Sequence, residues 1–430
     1  MNISILLKQH IGGPCKAIVK EGERVKRGQL IGVPEGLGAN IHSSMSGVVE
    51  KIEEDRIIIS PDEKQSEDYV KLDECDDYLK IIENAGIVGA GGAGFPTHIK
   101  LNANLKNGYV IANCVECETA LHHNIRLIEE DPEIVIKGIK YAMEITKAPK
   151  AYIAIKGKNT KAINSLKRHL DGTEIEIKEL KDMYPMGEER AILHAIFGKW
   201  LEPNQLPLEA NSVVLNTETL ANIARAIEDR KPVIDKDITI IGKLKTGNEP
   251  NTLFQIPIGT PIKNLIDQCG GIDGEYGEVI IGGPYTGKSD DLDSALLTKV
   301  SGGAIITIPF PKYNGPVGLL VCACGGDEER LRDVAEKMGS KVTGVEECKN
   351  VVKVKGANKC KTPGDCPGQA EKIIALKRSG AERVIISNCS DCSNTVMCCA
   401  PKMGIPVYHH TDHVFRTLDY PLTRRLPMEK

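Results

Sequence analysis

Ile87-Val88-Gly89-Ala90-Gly91-Gly92-Ala93-Gly94-Phe95-Pro96-Thr97-His98-Ile99-Lys100 is the stretch whose reading decides the fold. Gly89, Gly91, Gly92 and Gly94 fall within six residues. Without Cβ atoms the backbone there can approach a ligand closely, and successive main-chain N–H groups form a nest for phosphate. Lys100 adds a point charge a few residues on. An ordinary tight turn has the same composition, so the neighbouring segments must carry the argument. Downstream, Gly108-Tyr109-Val110-Ile111-Ala112 reads as a strand. It delivers Asn113-Cys114-Val115-Glu116-Cys117-Glu118 to its C-terminal end, where open α/β sheets bind ligands. Two carboxylates in three residues suit ribose hydroxyls or polarisation of a ring; a solvated turn is the bland alternative. A helical run over 129–147, a strand at 151–155, a helix over 158–170 and a strand at 174–177 continue a β-α alternation. Tyr184-Pro185-Met186-Gly187-Glu188-Glu189 then opens a helix with acidic residues in its first turn. Val213-Val214-Leu215-Asn216-Thr217-Glu218-Thr219 runs a strand into polar cap residues.

Upstream, residues 1–75 hold short apolar pairs after glycine turns, then a charged stretch and a helical pattern through 69–85. Their strands resemble the barrel-sandwich hybrid of lipoyl and biotinyl carriers. No lysine lies between Lys26 and Lys51, so the tip of such a module has no residue for a covalent swinging arm. A packing or docking module is the expectation.

Composition bounds the rest. A chain of 430 residues predicts two to four domains. The formal charge of −4 offers no basic excess for a phosphate backbone, and aromatic residues at 4% are too few for a base-stacking surface. Nucleic acid is therefore not an expected partner. The N-terminus has no apolar signal core, and no run of 18 apolar residues occurs, so a cytoplasmic protein without a membrane span is expected. Nine of the 14 cysteines fall between Cys322 and Cys399. In a reducing compartment such a cluster reads as metal ligands, redox thiols or catalytic groups before disulfides.

The glycine loop with Lys100, then Asn113-x-x-Glu116-x-Glu118, Tyr184-x-x-Gly187-x-Glu189 and Asn216-Thr217-Glu218-Thr219, resemble in order the flavin- and NADH-binding fold of the complex I 51-kDa subunit. They are similar, more closely, to the RnfC component of the Rnf electron-transport complex. The resemblance implies FMN and NADH. Gly89, Gly91, Gly92, Gly94 and Lys100 would hold the FMN phosphate, and Asn113, Asn216, Thr217 and Thr219 would line the flavin. Phe95, Glu116, Glu118, Glu188 and Glu189 would lie near NADH. Thr119 stands where relatives usually carry proline. Residues 233–310, with Gly270-Gly271 and Gly282-Gly283-Pro284, resemble the SLBB β-grasp module of the same family.

Beyond residue 311 the chain departs from that family. The ferredoxin run C-x-x-C-x-x-C-x-x-x-C-P is missing, and a strand-helix alternation takes its place. If the strands are parallel, their C-terminal ends share an edge. Cys322 and Cys324 would then meet Cys348, Cys389, Cys392, His409 and His410. Cys398 and Cys399 are expected on the loop of Cys389, and Cys360 and Cys366 in a Pro/Gly loop folded over the site. Three readings stay open. Cys389-x-x-Cys392, with Cys398 and Cys399, suits catalytic dithiol chemistry. Cys322, Cys324, Cys348, Cys360, Cys366, Cys389 and Cys392 could instead ligate an iron–sulfur cluster, or zinc. The tail, in this combination, resembles the PrdC family of electron-transfer proteins associated with D-proline reductase. The expected architecture is a multidomain α/β protein: a barrel-sandwich hybrid over 1–75, a Rossmann-like flavin/NADH domain over 76–232, a β-grasp module over 233–310 and a cysteine-rich α/β domain over 311–430. The resemblance implies electron flow from NADH through FMN and the cysteine site to a partner reductase, D-proline reductase or another. An NADH-oxidising subunit of an Rnf or cobalamin-reductase system and a non-catalytic docking adaptor are the rivals.

Overall fold

Alternating burial along Ile3–Leu6, Gly47–Ile52 and Arg56–Pro61 sends every second side chain into one core, which makes these segments sheet rather than helix. In the computed structural model, which describes residues 2–423, a four-stranded and a three-stranded sheet enclose Ile5, Val25, Ile31, Ile41, Val49, Ile57 and Ile59. The last residues of the expected cysteine-rich segment, 424–430, lie outside the described residues. The helical pattern expected through 69–85 is realised only as Tyr78–Asn84. It starts where the Asp77 carboxylate accepts from the Leu79 N–H at 2.9 Å.

A parallel sheet follows, with strands in the spatial order Ile175–Leu180, Lys150–Lys156, Tyr109–Cys114, Ser212–Asn216. The chain builds outward from Tyr109–Cys114 in one direction and then returns to its other side. The crevice beyond the C-terminal ends of Tyr109–Cys114 and Ser212–Asn216 is therefore a topological switch point. The helical run expected over 129–147 is two helices, His123–Glu130 and Pro132–Thr146. Pro132 has no N–H to continue the first, and Asp131 caps the second by accepting from Ile134 N at 3.1 Å.

Residues 235–306 form a five-stranded mixed sheet, packed on the helix Ile262–Gln268 through Ile238, Ile240, Leu265 and Ile306. A second parallel sheet then orders Lys341–Glu347, Pro316–Val321, Arg383–Ile386 and Val407–His409. Its switch point lies between Pro316–Val321 and Arg383–Ile386, the strands that precede Cys322-x-Cys324 and Cys389-x-x-Cys392. Two sequence expectations fail here. Cys398 and Cys399 sit in the helix Ser390–Cys399 and not on a loop, because that helix starts directly after Cys389. Cys360 ends a hairpin of Val351–Val354 with Ala357–Cys360, opposite Val351, so only Cys366 belongs to the Pro/Gly loop. The hairpin escapes a periodicity reading because its strands are four residues each and cover no large core. Among the described residues no helix is long and apolar enough to cross a membrane.

Candidate functional site: two facing crevices

The glycine loop is closed by a bridge between Val88 and Pro96 and by the Gly89 N–H donating to Phe95 O at 3.0 Å. Thr219, in the first turn of the helix Thr217–Glu228, pins it. Its Oγ1 accepts from Ala90 N at 3.0 Å and donates to Val88 O at 3.3 Å. At Gly91 a Cβ would stand 2.6 Å from Asn216 Nδ2, so only glycine lets the loop lie against that amide. Gly92 faces open space, and the N–H groups of Gly91, Gly92 and Ala93 take part in no hydrogen bond among the described residues.

Around the same crevice, Asn113 Nδ2 donates to Gly187 O at 2.9 Å, Thr217 Oγ1 donates to Asn113 O at 3.4 Å, and Asn216 Oδ1 accepts from Glu218 N at 2.9 Å. The loop, both asparagines and both threonines are thus brought together. The four glutamates expected near a dinucleotide are each engaged by protein donors. Glu118 accepts from Tyr285 N at 2.9 Å, Thr286 N at 3.0 Å and Thr286 Oγ1 at 2.6 Å. Glu188 caps the helix Glu189–Phe197 and meets Arg190 Nε at 3.1 Å. Glu189 pairs with Lys100 at 2.6 Å, and Lys100 also reaches Val214 O at 2.7 Å. Glu116, at φ 40°, accepts from Asn124 Nδ2 at 2.8 Å, and burial pushes its pKa up to about 7. Phe95 lies at the surface, 36% exposed.

On the tail's sheet edge seven sulfurs converge. Cys322 touches Cys324 and Cys348, Cys324 touches Cys360 and Cys389, and Cys392 touches Cys389, Cys348 and Cys366, all through S–H···S contacts. All are free thiols. Gln369 Nε2 donates to Cys348 Sγ at 3.0 Å and leans on Cys366 and Cys392 at 3.6 and 3.8 Å, and Gly368 N donates to Cys366 Sγ at 3.3 Å. S–H donation from Cys324 and Cys392 holds the Cys389 thiol well below the usual range, whereas contact with Cys322 and other thiols raises Cys324. Cys398 is exposed and Cys399 donates to Val396 O at 3.3 Å, so neither joins the network. His409 and His410 reach the edge, where His409 meets Asn388 O at 2.8 Å and His410 meets Tyr285 O at 3.1 Å. Buried imidazoles are taken by the buried carbonyls beside them. Among the described residues no group of three or more Cys, His, Asp or Glu has a geometry that holds a metal ion.

The two crevices face each other across a cavity of about 270 Å3, walled by Gly91, Glu118 and Gly187 on one side and by Cys324 and Cys360 on the other. Residues that the motifs leave unassigned fasten the halves. Tyr184 stacks on Tyr285 at 3.6 Å, its hydroxyl donates to Cys324 O, and Arg190 Nη2 donates to Cys360 O at 2.7 Å. Arg190 is 5% exposed although it follows two glutamates in a helix, a pattern that reads as a solvated ion pair. Nothing in the local sequence marks Gln369.

Residues 82–225 match the Nuo51 FMN-binding domain and residues 1–68 the RnfC barrel sandwich hybrid domain. The C component of the Na+-translocating ferredoxin:NAD+ oxidoreductase complex of Acetobacterium woodii is 34% identical over 341 residues, 74% of this chain and 76% of the relative. Its counterpart in the proton-translocating ferredoxin:NAD+ oxidoreductase complex of Clostridium ljungdahlii is 33% identical, covering 70% and 69%. The cobalamin reductase PduS of Salmonella typhimurium is 35% identical over 234 residues, 54% of this chain and 50% of the relative. With its N-terminal barrel, its glycine-loop crevice and this extent of shared sequence, the chain belongs to the RnfC-like family of electron-transfer oxidoreductase proteins built on the Nuo51 FMN-binding domain.

Proposed function

We propose that the protein is an NADH-linked flavoprotein that sends electrons through its thiol cluster to a partner reductase, with D-proline reductase the acceptor that its tail's resemblance favours. The observation that carries this reading is the cavity shared by the glycine-loop crevice and the sulfur edge. The residues present fit FMN: Gly92 faces open space, three loop N–H groups are unengaged among the described residues, and two side-chain amides lie in the same crevice. The loop N–H groups would hold the phosphate, with Lys100 releasing Glu189 to add its charge, and Asn113 and Asn216 would hold the ring edge. When bound, the flavin supplies conversion of a two-electron hydride into electrons released singly or in pairs. The chain's own residues do the rest. The Tyr184 ring, held by its stack on Tyr285, and the cysteine domain wall the cavity, while Arg190 and the Tyr184 hydroxyl fix the sulfur wall at a set distance. The division at residues 75, 232 and 310, with an SLBB β-grasp module over 233–310 whose Tyr285–Thr286 turn holds Glu118, is part of this reading.

The test is the absorption spectrum of anaerobically purified protein, before and after NADH. Flavin bands that NADH bleaches are expected, with the colour returning when oxidised D-proline reductase is added. A protein without flavin bands, or with bands that NADH leaves unchanged, sinks the proposal; bleaching that only another acceptor reverses sinks the choice of partner.

A further inference from the structure

Seven thiols in one network leave open which of them meets the flavin-side crevice first. Of the seven, only Cys324 and Cys360 line the shared cavity. These two also touch each other. Each is held from the opposite wall through its own carbonyl, Cys324 by the Tyr184 hydroxyl and Cys360 by Arg190 Nη2 at 2.7 Å. Arg190 is in turn oriented by Glu188 at 3.1 Å, and the Tyr184 ring by its stack on Tyr285. Two side chains of the flavin-side domain therefore grip the backbone of two cysteines 140 and 170 positions away in sequence. Such grips set position and carry no charge to the sulfurs. Inward from the cavity, Cys324 touches Cys389, and Cys389 touches Cys392. Both inner cysteines are almost wholly shielded from solvent, so a reductant in solution does not reach them directly.

Resting on the function proposed above, we infer that Cys324 and Cys360 are the entry pair of the relay: oxidised as a disulfide, they take electrons at the cavity and hand them to Cys389 and Cys392. In the first step the Cys324–Cys360 S–S bond breaks. The two electrons and two protons that a reduced flavin held in the crevice would supply leave both sulfurs as thiols. In the second, Cys324 gives up its proton and as thiolate attacks the Cys389 sulfur of a Cys389–Cys392 disulfide, and a Cys324–Cys389 bond forms as Cys392 leaves as thiolate and takes up a proton. Cys360 likewise gives up its proton and attacks Cys324, re-forming the entry disulfide and releasing Cys389, which takes up the second proton. Two electrons have moved inward and no proton or sulfur is unaccounted for. Tyr184 and Arg190 are positioning residues for this pair.

Differential alkylation with mass spectrometry on the full-length flavin-loaded protein, kept anaerobic, tests the assignment. The oxidised wild type is expected to yield a Cys324–Cys360 linked peptide that NADH abolishes, with thiols appearing next at Cys389 and Cys392. In Cys360→Ser the NADH-dependent appearance of thiols at Cys389 and Cys392 is expected to slow at least tenfold, while dithiothreitol reduces them as fully as in wild type, which shows the domain folded. In Arg190→Lys, which keeps the charge but not the fork, the same step is expected to slow without loss of the linked peptide. Wild-type rates in Cys360→Ser, free Cys324 and Cys360 in the oxidised protein, or stoichiometric iron and acid-labile sulfide would each overturn the inference. Failure of NADH to bleach the wild-type flavin would instead remove the proposed function, leaving the linked peptide and its reduction by dithiothreitol as the readout of the pair.

Discussion

At Gly91 and Glu116 single residues show the difference between a motif and its physics. Gly91 is needed because a Cβ would stand 2.6 Å from Asn216 Nδ2. Gly91→Ala is therefore expected to push the loop off the asparagine and to weaken flavin retention at least tenfold, read by flavin-to-protein absorbance after gel filtration. The fold should survive, because Gly91 is at the surface and no core contact is lost. Glu116 is half-buried, and its neighbours include Glu118 as a like charge and Lys156 and Lys236 as opposing ones. Its pKa is pushed from 4.5 up to about 7, so the folded state binds a proton that the unfolded chain releases between those values. The stabilising share of the protonated form is complete below pH 4.5 and is lost as pH rises through about 7, a change on the order of 3 kcal/mol. Chemical denaturation at pH 5 and pH 7.5 should show that slope in wild type and a flatter one in Glu116→Gln, whose amide oxygen still accepts from Asn124.

At the scale of elements, caps decide where helices begin and so where chemistry is presented. Asp77, Asp131, Glu188 and Asn216 each accept from the first turn of the helix that they open. Asp131→Ala is expected to cost about 1 kcal/mol in urea unfolding, the ordinary worth of an N-cap, with no change in flavin content. Glu188 does more than cap, because it also orients Arg190. Glu188→Ala should cost a similar amount of stability and in addition slow reduction of the tail thiols. A stability loss with thiol reduction at the wild-type rate would separate the cap from the positioning role. The two parallel sheets were legible from the β-α alternation. The hairpin that carries Cys360 was not, since short strands without an apolar face leave no period to read.

Across the whole molecule, the tail is fastened by polar groups as well as apolar ones. Glu278, on the five-stranded sheet's side, meets Arg330 Nη1 at 2.8 Å, Lys337 at 2.7 Å and His413 Nε2 at 2.7 Å. Burial works against its charge, yet hydrogen bonds from Arg330 and His413 hold its carboxyl well below the usual range. Removing the carboxylate leaves the half-buried Arg330 with Asp333 alone and the buried His413 without its ion-pair partner, a loss of up to about 3 kcal/mol. Glu278→Ala is expected to release the tail to limited proteolysis near residue 311 while the flavin remains bound; a tail as resistant as wild type would show that the bonds from Tyr184 to Cys324 and from Arg190 to Cys360 suffice. The order of the motifs by itself determined the family, the glycine-loop crevice and the presence of a sulfur-rich unit, because loop glycines, capping residues and alternating periods act over a few positions. Tertiary structure alone decided that the four glutamates are engaged by protein donors, that Cys398 and Cys399 stand apart from the other seven, and that Cys324 and Cys360 face the crevice. Those outcomes depend on which distant carbonyl, turn or thiol a side chain meets, and packing between domains sets that meeting where no local spacing records it.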